Sequence, residues 1–420
     1  MTRQMLNENV YLTYIPSEKF KTNFLSAQMV FPLMKETAGR NALLVNVLNR
    51  GTVRCPDLTA IGRELDMLYG AHLVPSVRKK GENQLFGFAA SCIDDRFLPQ
   101  NEKLLEKLTD LLGEFFCDPL TKGGRLLEEY TVSERENLAD LIRSVINDKR
   151  AYASKRLMEE MCAKESYSIN RLGSAKDVEK ITFQRLDKHY REILPIGRLE
   201  LFYCGSAPEK RVAGAFTRAF AALPRQGAAA PFPTLRLPAR TPCRTVTEEM
   251  DVAQGKLCIG FRTDSEDHAA TMLMNAMFGG VTTSKLFVNV REKLSLCYYA
   301  DSVYHRLKGL ITVSAGIECA DCGQALEEIF RQLRALQEGD WEDWELDGAR
   351  QSLLNSLRAM DDSAGALEDF VMGQAVAGTD ETIPGLIAAV QAVTPERIRE
   401  AAQAVQPDTI YFLKGKEDHV

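Results

Sequence analysis

The sequence predicts an α+β protein of two similar halves, each an antiparallel sheet with helices packed on one face, joined by an extended linker. Three observations carry this reading. Segments of the first half are echoed in the second at an offset of about 228 residues. A proline-rich stretch divides the chain near its middle. Strand-like runs cluster beside long helical patterns, mostly without strict strand–helix alternation.

The echoes are specific. ALLVNVLNRG (42–51) returns as TMLMNAMFGG (271–280), and SVRKKGENQLFGFAASC (76–92) returns as YHRLKGLITVSAGIEC (304–319). Two echoes in one order point to an internal duplication. Between the halves, 225–244 reads RQGAAAPFPTLRLPARTPCR, with four prolines and no acidic residue. Proline blocks both helix and central strand, so this segment reads as the linker. The halves are then 1–224 and 245–420.

Strand candidates in the first half are VYLTYI, FLSAQMVF, HLVPSVRKK, QLFGFAASC and RLELFYCG. In the second they are RTVTEEMDV, KLCIGFRT, CYYADSVYH, LITVSAGIE and TIYFLKG. These are β-branched and aromatic runs, several alternating, with Gly or Pro near their ends. DLTAIGRELDMLYG reads as a helix with Asp57 as its cap and Gly70 at its exit. NEKLLEKLTDLLGEFF and QALEEIFRQLRALQ are amphipathic, and Leu126 to Met161 and Trp341 to Met372 are mostly helical by pattern. Their charges read as solvated helix faces.

With 420 residues, 45% apolar and 26% charged, the chain has the composition of a globular protein of two or three domains. The net charge of -6 argues against a nucleic-acid binder. The N-terminus MTRQMLNENV has no apolar signal core, and no stretch approaches the roughly 20 apolar residues of a membrane span. No nucleic-acid or membrane partner is expected. Ten scattered cysteines, several inside apolar runs, suit small buried hydrophobes in a reducing cytoplasm.

Asn41 to Thr52, NALLVNVLNRGT, resembles the helix that carries the inverted zincin motif HxxEH and a following Gly-Thr pair in insulinase and pitrilysin relatives. In that motif two histidines four apart hold zinc and the Glu is the general base. Anchored on Gly51-Thr52, the resemblance places Ala42 at the first His, Val45 at the base and Asn46 at the second His. ERENLADL (134–141) is similar to the stretch that supplies the third ligand, and puts Leu141 there with Asp140 beside it. Catalytic zinc takes three protein ligands, so the resemblance implies that zinc is absent and that no residue is catalytic.

FGGVTTSKLFVNVREKLSLCYY (278–299) resembles the second-half signature of the same family. It implies that Arg291 and Tyr298 match residues that reach a bound peptide, with Ser295 in place of the usual Gly. HLVPSVRKK falls where the family's edge strand binds peptide by strand addition, with Leu73-Val74 in place of Asn-Ala. The similarity covers nearly the whole chain. GRNALLVNVLNRGT, LDMLYGAHL, NDKRAYASKR and MCAKESYSINRLGS are similar to a zinc-site-lacking bacterial subclass associated with 5-aminopentanol modification of elongation factor P. The family implies a clamshell of two halves around a peptide.

Ala42, Val45 and Asn46 lie on what is simply a buried helix. Of five histidines no two lie within four residues of each other, and His189 reads as a helix-surface or satisfied residue. Cys319 and Cys322 form a CADC spacing with no second CxxC, which reads as incidental. Arg291, beside Glu292, also suits a solvated ion pair. FGGVTTSKL lacks the second Gly-Lys of a phosphate loop.

The expectation is a pseudo-peptidase that binds a peptide or protein. It would complete the chamber of an active zinc-peptidase paralogue as a heterodimer, or act as a homodimer. An active metallopeptidase with other ligands and a protein-binding scaffold are the alternatives.

Overall fold

The computed structural model describes residues 1–99, 102–227 and 234–416. Part of the expected linker, 228–233, and His419 lie outside the described residues. The chain runs β1 (Thr2–Asn7), β2 (Val10–Pro16), β3 (Thr22–Pro32), α1 (Lys35–Leu48), α2 (Leu58–Met67), β4 (His72–Lys80), β5 (Asn83–Ile93) and α3 (Leu104–Cys117). A small ribbon of β6 (Thr121–Lys122) and β7 (Arg125–Leu126) leads to α4 (Glu128–Ser144), α5 (Lys149–Met161), α6 (Ala175–Val178), α7 (Phe183–Ile196), β8 (Arg198–Gly205) and α8 (Glu209–Ala219). The second half holds β9 (Arg244–Met250), β10 (Gly255–Thr263), α9 (His268–Asn275), β11 (Cys297–His305), β12 (Leu310–Ile317), α10 (Cys322–Glu338), α11 (Asp343–Ala359), α12 (Ala364–Ala377), α13 (Ile383–Gln391), α14 (Pro395–Gln403) and β13 (Val405–Gly415).

All ten expected strands form. Asp57 caps α2 by accepting from the Ala60 N–H, and Gly70 takes the left-handed backbone at φ 72°. The expected long helix at 126–161 breaks in two. The first piece ends at Ser144, and Asp148 caps α5, accepting from the N–H groups of Arg150 and Ala151. The strand β1 escaped sequence reading because its mostly exposed TRQMLN carries no apolar alternation.

The two sheets have the same order. The first runs β1-β2-β8-β3-β5-β4 and the second β11-β12-β10-β13-β9. Read from the opposite end, β4-β5-β3-β8-β2 matches β11-β12-β10-β13-β9, with β1 added. Each sheet is antiparallel but for one matching parallel pair, β2 with β8 and β9 with β13. A shared, non-sequential strand order is what duplication produces.

The chain forms two compact units, and each takes a segment from the other half of the sequence. The first gathers Met1–Arg143, the described residues within 169–233, and Ala364–Gly378. The second gathers Ser144–Ser168, Thr234–Ser363 and the described residues from Thr379 onward. So α12 belongs to the first sheet and α5 to the second.

These two helices cover the face opposite the main helical layer. In β10, Leu257, Ile259 and Phe261 alternate with Cys258 and Gly260, and alternation sends the two sets to opposite faces. Phe261 meets Phe278 and Phe330, whereas Cys258 packs with Ala153 and Leu157 of α5. Gly260 allows that approach, since a Cβ there would collide with the Met161 sulfur. In the first unit, Leu25, Ala27 and Met29 of β3 join the core, while Ser26 faces α12 and donates to Glu368 at 2.9 Å.

A buried charge cluster holds α5 in place. Arg262 of β10 bonds Glu165 at 2.5 Å and Asp408 of β13 at 2.9 Å, and Lys308 also bonds Glu165. Arg262 and Arg240 both donate to the Met161 carbonyl at the end of α5. Burial opposes the charge on Glu165, but the bonds from Arg262 and Lys308 outweigh it and hold its carboxyl below the usual range. No helix of the described residues is long and apolar enough to cross a membrane.

Glu165→Gln leaves two buried cations with one anion, so it should cost about 3–5 kcal/mol. Lys414→Ala removes an ion pair whose Glu249 side is exposed, and should cost at most about 1 kcal/mol. Urea unfolding of the two variants measures the contrast.

Candidate functional site

The helix α1 buries almost its whole length. Ala42 and Val45 are each 1% exposed, and Asn46 is half-buried. A methyl and an isopropyl group offer no lone pair to a metal and no base to a water molecule. Leu141 lies on α4 with 55% exposure and offers only an alkyl group, and Asp140 beside it pairs with Arg143 at 3.1 Å. Zinc needs nitrogen, sulfur or carboxylate donors, so these positions do not fit it. Among the described residues, no group of three or more His, Cys, Asp or Glu side chains could hold a metal ion.

A neutral polar network lies beside these positions. Asn41 donates to Gln84 of β5 at 2.8 Å and accepts from His189 of α7 at 2.6 Å. Gln84 donates onward to the carbonyls of Ala38 and Arg171, at 3.0 and 2.5 Å. The bond to the Asn41 amide oxygen assigns the His189 proton to Nε2. Burial, reinforced by the charge of Arg40, pushes His189 down to about 4 and keeps it neutral. Of the two sequence readings, the satisfied one describes His189. Sequence reasoning missed Asn41 and Gln84. Their one signal is a polar residue at the start of each of two apolar runs.

The scaffold around α1 is locked by other residues. A Cβ on Gly51 would come within 2.6 Å of the Pro56 carbonyl oxygen, so the turn requires glycine. Thr52 is fully buried; its hydroxyl donates to Glu114 at 3.0 Å and accepts from the Cys55 N–H at 3.0 Å. Arg50 pairs with Glu134 of α4 at 2.9 Å and stacks on Tyr130. The Gly-Thr turn therefore has a structural task independent of zinc.

Leu73 and Val74 lie on β4, at the edge of the first sheet. Leu73 packs against the core and Val74 is 53% exposed. The end of β4 is tied down: Arg78 makes a two-pronged bond to Glu368 at 2.5 and 2.6 Å, and Lys80 bonds Asp369 at 2.6 Å.

In the second unit, wide π-helical turns span Ala276–Gly280 and Leu286–Lys293. The second turn packs on β11, and so brings Arg291 and Tyr298 into one substructure. Arg291 lies over the Phe287 ring at 4.5 Å and 3.6 Å from Glu292, partly exposed. Tyr298 is 76% exposed, on a bulge where the register slips between Cys297 and Tyr299 on the sheet's edge strand. Ser295, in place of the family's Gly, takes φ 51°, a left-handed backbone.

The cysteines are free thiols, and Cys55, Cys92, Cys162, Cys204 and Cys258 are buried. Burial pushes the Cys92 thiol up to about 12, the opposite of a nucleophile. Cys319 is exposed and Cys322 partly buried, at the start of α10.

Residues 180–353 match the family described as peptidase M16 inactive domain. The chain is 34% identical over 407 residues to "Probable inactive metalloprotease YmfF" of Bacillus subtilis, covering 96% of this chain and 95% of that one. A conserved protein from Enterococcus faecalis has a crystal structure that matches with a TM-score of 0.91 at 30% identity, covering 100% and 99% of the two chains. The peptidase M16 inactive domain from Pseudomonas fluorescens matches in fold with a TM-score of 0.80 at 18% identity, covering 99% and 98%.

Three outcomes follow from this geometry. Val45→Glu alone restores no peptide hydrolysis, because base and metal act as a unit; a fluorogenic peptide assay reads it. Ser295→Gly relieves a left-handed backbone and raises stability by about 0.5–1 kcal/mol in urea unfolding. The unfolded chain protonates His189 near pH 6.5 and the folded chain near 4. Its contribution is therefore complete above 6.5 and is lost as pH falls toward 4, by up to about 3 kcal/mol. His189→Gln should flatten that stretch of the stability–pH curve.

Proposed function

The chain belongs to the M16 peptidase family, as an inactive member, and from that premise we propose that it works by binding. It holds an extended peptide or partner segment, and serves an active zinc-peptidase paralogue as a non-catalytic subunit in the bacterial cytoplasm. In this proposal that work lies beside elongation factor P modification, a reading that the resemblance to the zinc-site-lacking subclass supports.

One observation carries the reading. The positions of base and ligands hold apolar or amide side chains, while Tyr298 stands 76% exposed on an edge strand beside the turn that carries Arg291. A large aromatic ring displayed on a rigid element is costly in water and suited to anchoring a partner. Edge strands β4 and β11 offer backbone groups that bind extended segments with little sequence dependence. In this proposal Leu73 and Val74 contribute on β4, and Arg291 and Tyr298 on β11 and its flanking turn.

The test pairs metal analysis with binding. Elemental mass spectrometry of the tag-free chain should find zinc far below one ion per chain. A fluorescent extended peptide should bind, alone or with the paralogue present, and Tyr298→Ala should weaken it at least about tenfold, the cost of truncating an aromatic anchor. One tightly held zinc with chelator-sensitive cleavage would instead make the protein an enzyme.

A further inference from the structure

We infer that Arg171 and Pro75 act as a stop on the β4 edge, so that only a short extended segment, such as a chain end, pairs there rather than a long continuous strand. The inference rests on the binding function proposed above and deepens it by naming what the edge accepts.

The hairpin geometry decides which backbone groups face outward. Lys80 and Asn83 flank the two-residue turn Gly81-Glu82 and are direct partners. Partners flanking a two-residue turn exchange both of their backbone bonds. Alternating back along β4, residues 78, 76, 74 and 72 bond to β5, and Lys79, Val77, Pro75 and Leu73 turn outward. Two independent features agree. Pro75, which has no N–H, falls in the outward set, the side an edge proline must occupy. The Val77 carbonyl accepts a bond from Arg171 Nε at 2.9 Å, from outside the hairpin.

The rim that remains is short. Leu73 presents an N–H and a C=O. Pro75 presents a C=O alone. The Val77 carbonyl is taken. Further along, α12 holds Arg78 and Lys80 through Glu368 and Asp369. An added strand therefore finds both groups at one residue, one group at the next outward residue, and Arg171 competing at the third. Proline and an inserted charge are the devices that blunt a sheet edge.

The stop is fixed from beneath. The Arg171 carbonyl accepts from Gln84, whose side chain also bonds Asn41, which in turn bonds His189. The polar network beneath α1 thus holds the backbone that aims Arg171 at β4. Arg171→Ala removes the guanidinium and keeps that carbonyl. Pro75→Val returns a donor to the edge.

The experiment uses the full chain and two labelled, valine- and threonine-rich extended peptides of four and ten residues, read by fluorescence anisotropy. The wild-type chain should bind both with affinities within about twofold. The Arg171→Ala/Pro75→Val variant should bind the longer peptide at least about tenfold more tightly than wild type does, the yield of two recovered backbone bonds. Its circular dichroism and thermal midpoint should match wild type. A wild-type chain that already prefers the long peptide tenfold, or a variant with an unchanged length preference, overturns the stop. Binding of neither peptide by any version overturns the binding function itself, a different result from an unchanged preference.

Discussion

Two cations and two anions, buried together, fix α5 to the second sheet. Arg262 bonds both Glu165 and Asp408, Lys308 bonds Glu165, and the Met161 carbonyl at the end of α5 accepts from the same guanidinium. A charge in that setting is tolerable only with its partner, so the cluster forms whole or not at all. It joins β10, β13 and the approach to β12 to a helix that comes from the other half of the sequence. Once α5 is held there, the second sheet is covered on both faces. The first sheet repeats the solution with α12, where Glu368 takes Ser26 and Arg78. Each compact unit is thus completed by a helix from the opposite half.

Loss of chemistry and preservation of fold are separable in the first unit. A catalytic zinc site needs side chains that hold a metal and a base, and Ala42, Val45 and Asn46 do not supply them. The helix itself needs apolar side chains, and these it has in excess. The turn after it depends on Gly51 and Thr52 for steric and hydrogen-bond reasons of its own, so its shape does not depend on a metal. Asn41, Gln84 and His189 form a neutral network at the same place, with His189 too buried to take up a second proton and become a cation at ordinary pH. The surroundings of α1 are those of a packed core.

The second unit differs in character. Ser295 accepts a left-handed backbone that glycine would take more cheaply, and Tyr298 stands out from the edge strand. Both are small energetic costs at the same place. Local strain and exposed aromatic surface suit the contact role proposed for this place.

Much of this was legible in the residues. Alternating runs such as CYYADSVYH and LITVSAGIE, the Asp57 cap and the absence of His and Glu at 42, 45 and 46 are local facts, and period, capping and side-chain chemistry are local rules. The duplication was visible because it repeats those local signals at one offset. The break at Asp148 was readable in principle, but apolar spacing runs through it and masks it. Strand order, the parallel pairs, the traded helices, the charge cluster and the Arg171 bond to Val77 depend on residues far apart in sequence. Glu165 looks like any solvated carboxylate until Arg262 and Lys308 close on it, and Arg171 like any surface cation until the hairpin turns a carbonyl toward it. Composition and period carry no information about which distant partner a charged side chain meets, and only the packed chain decides that.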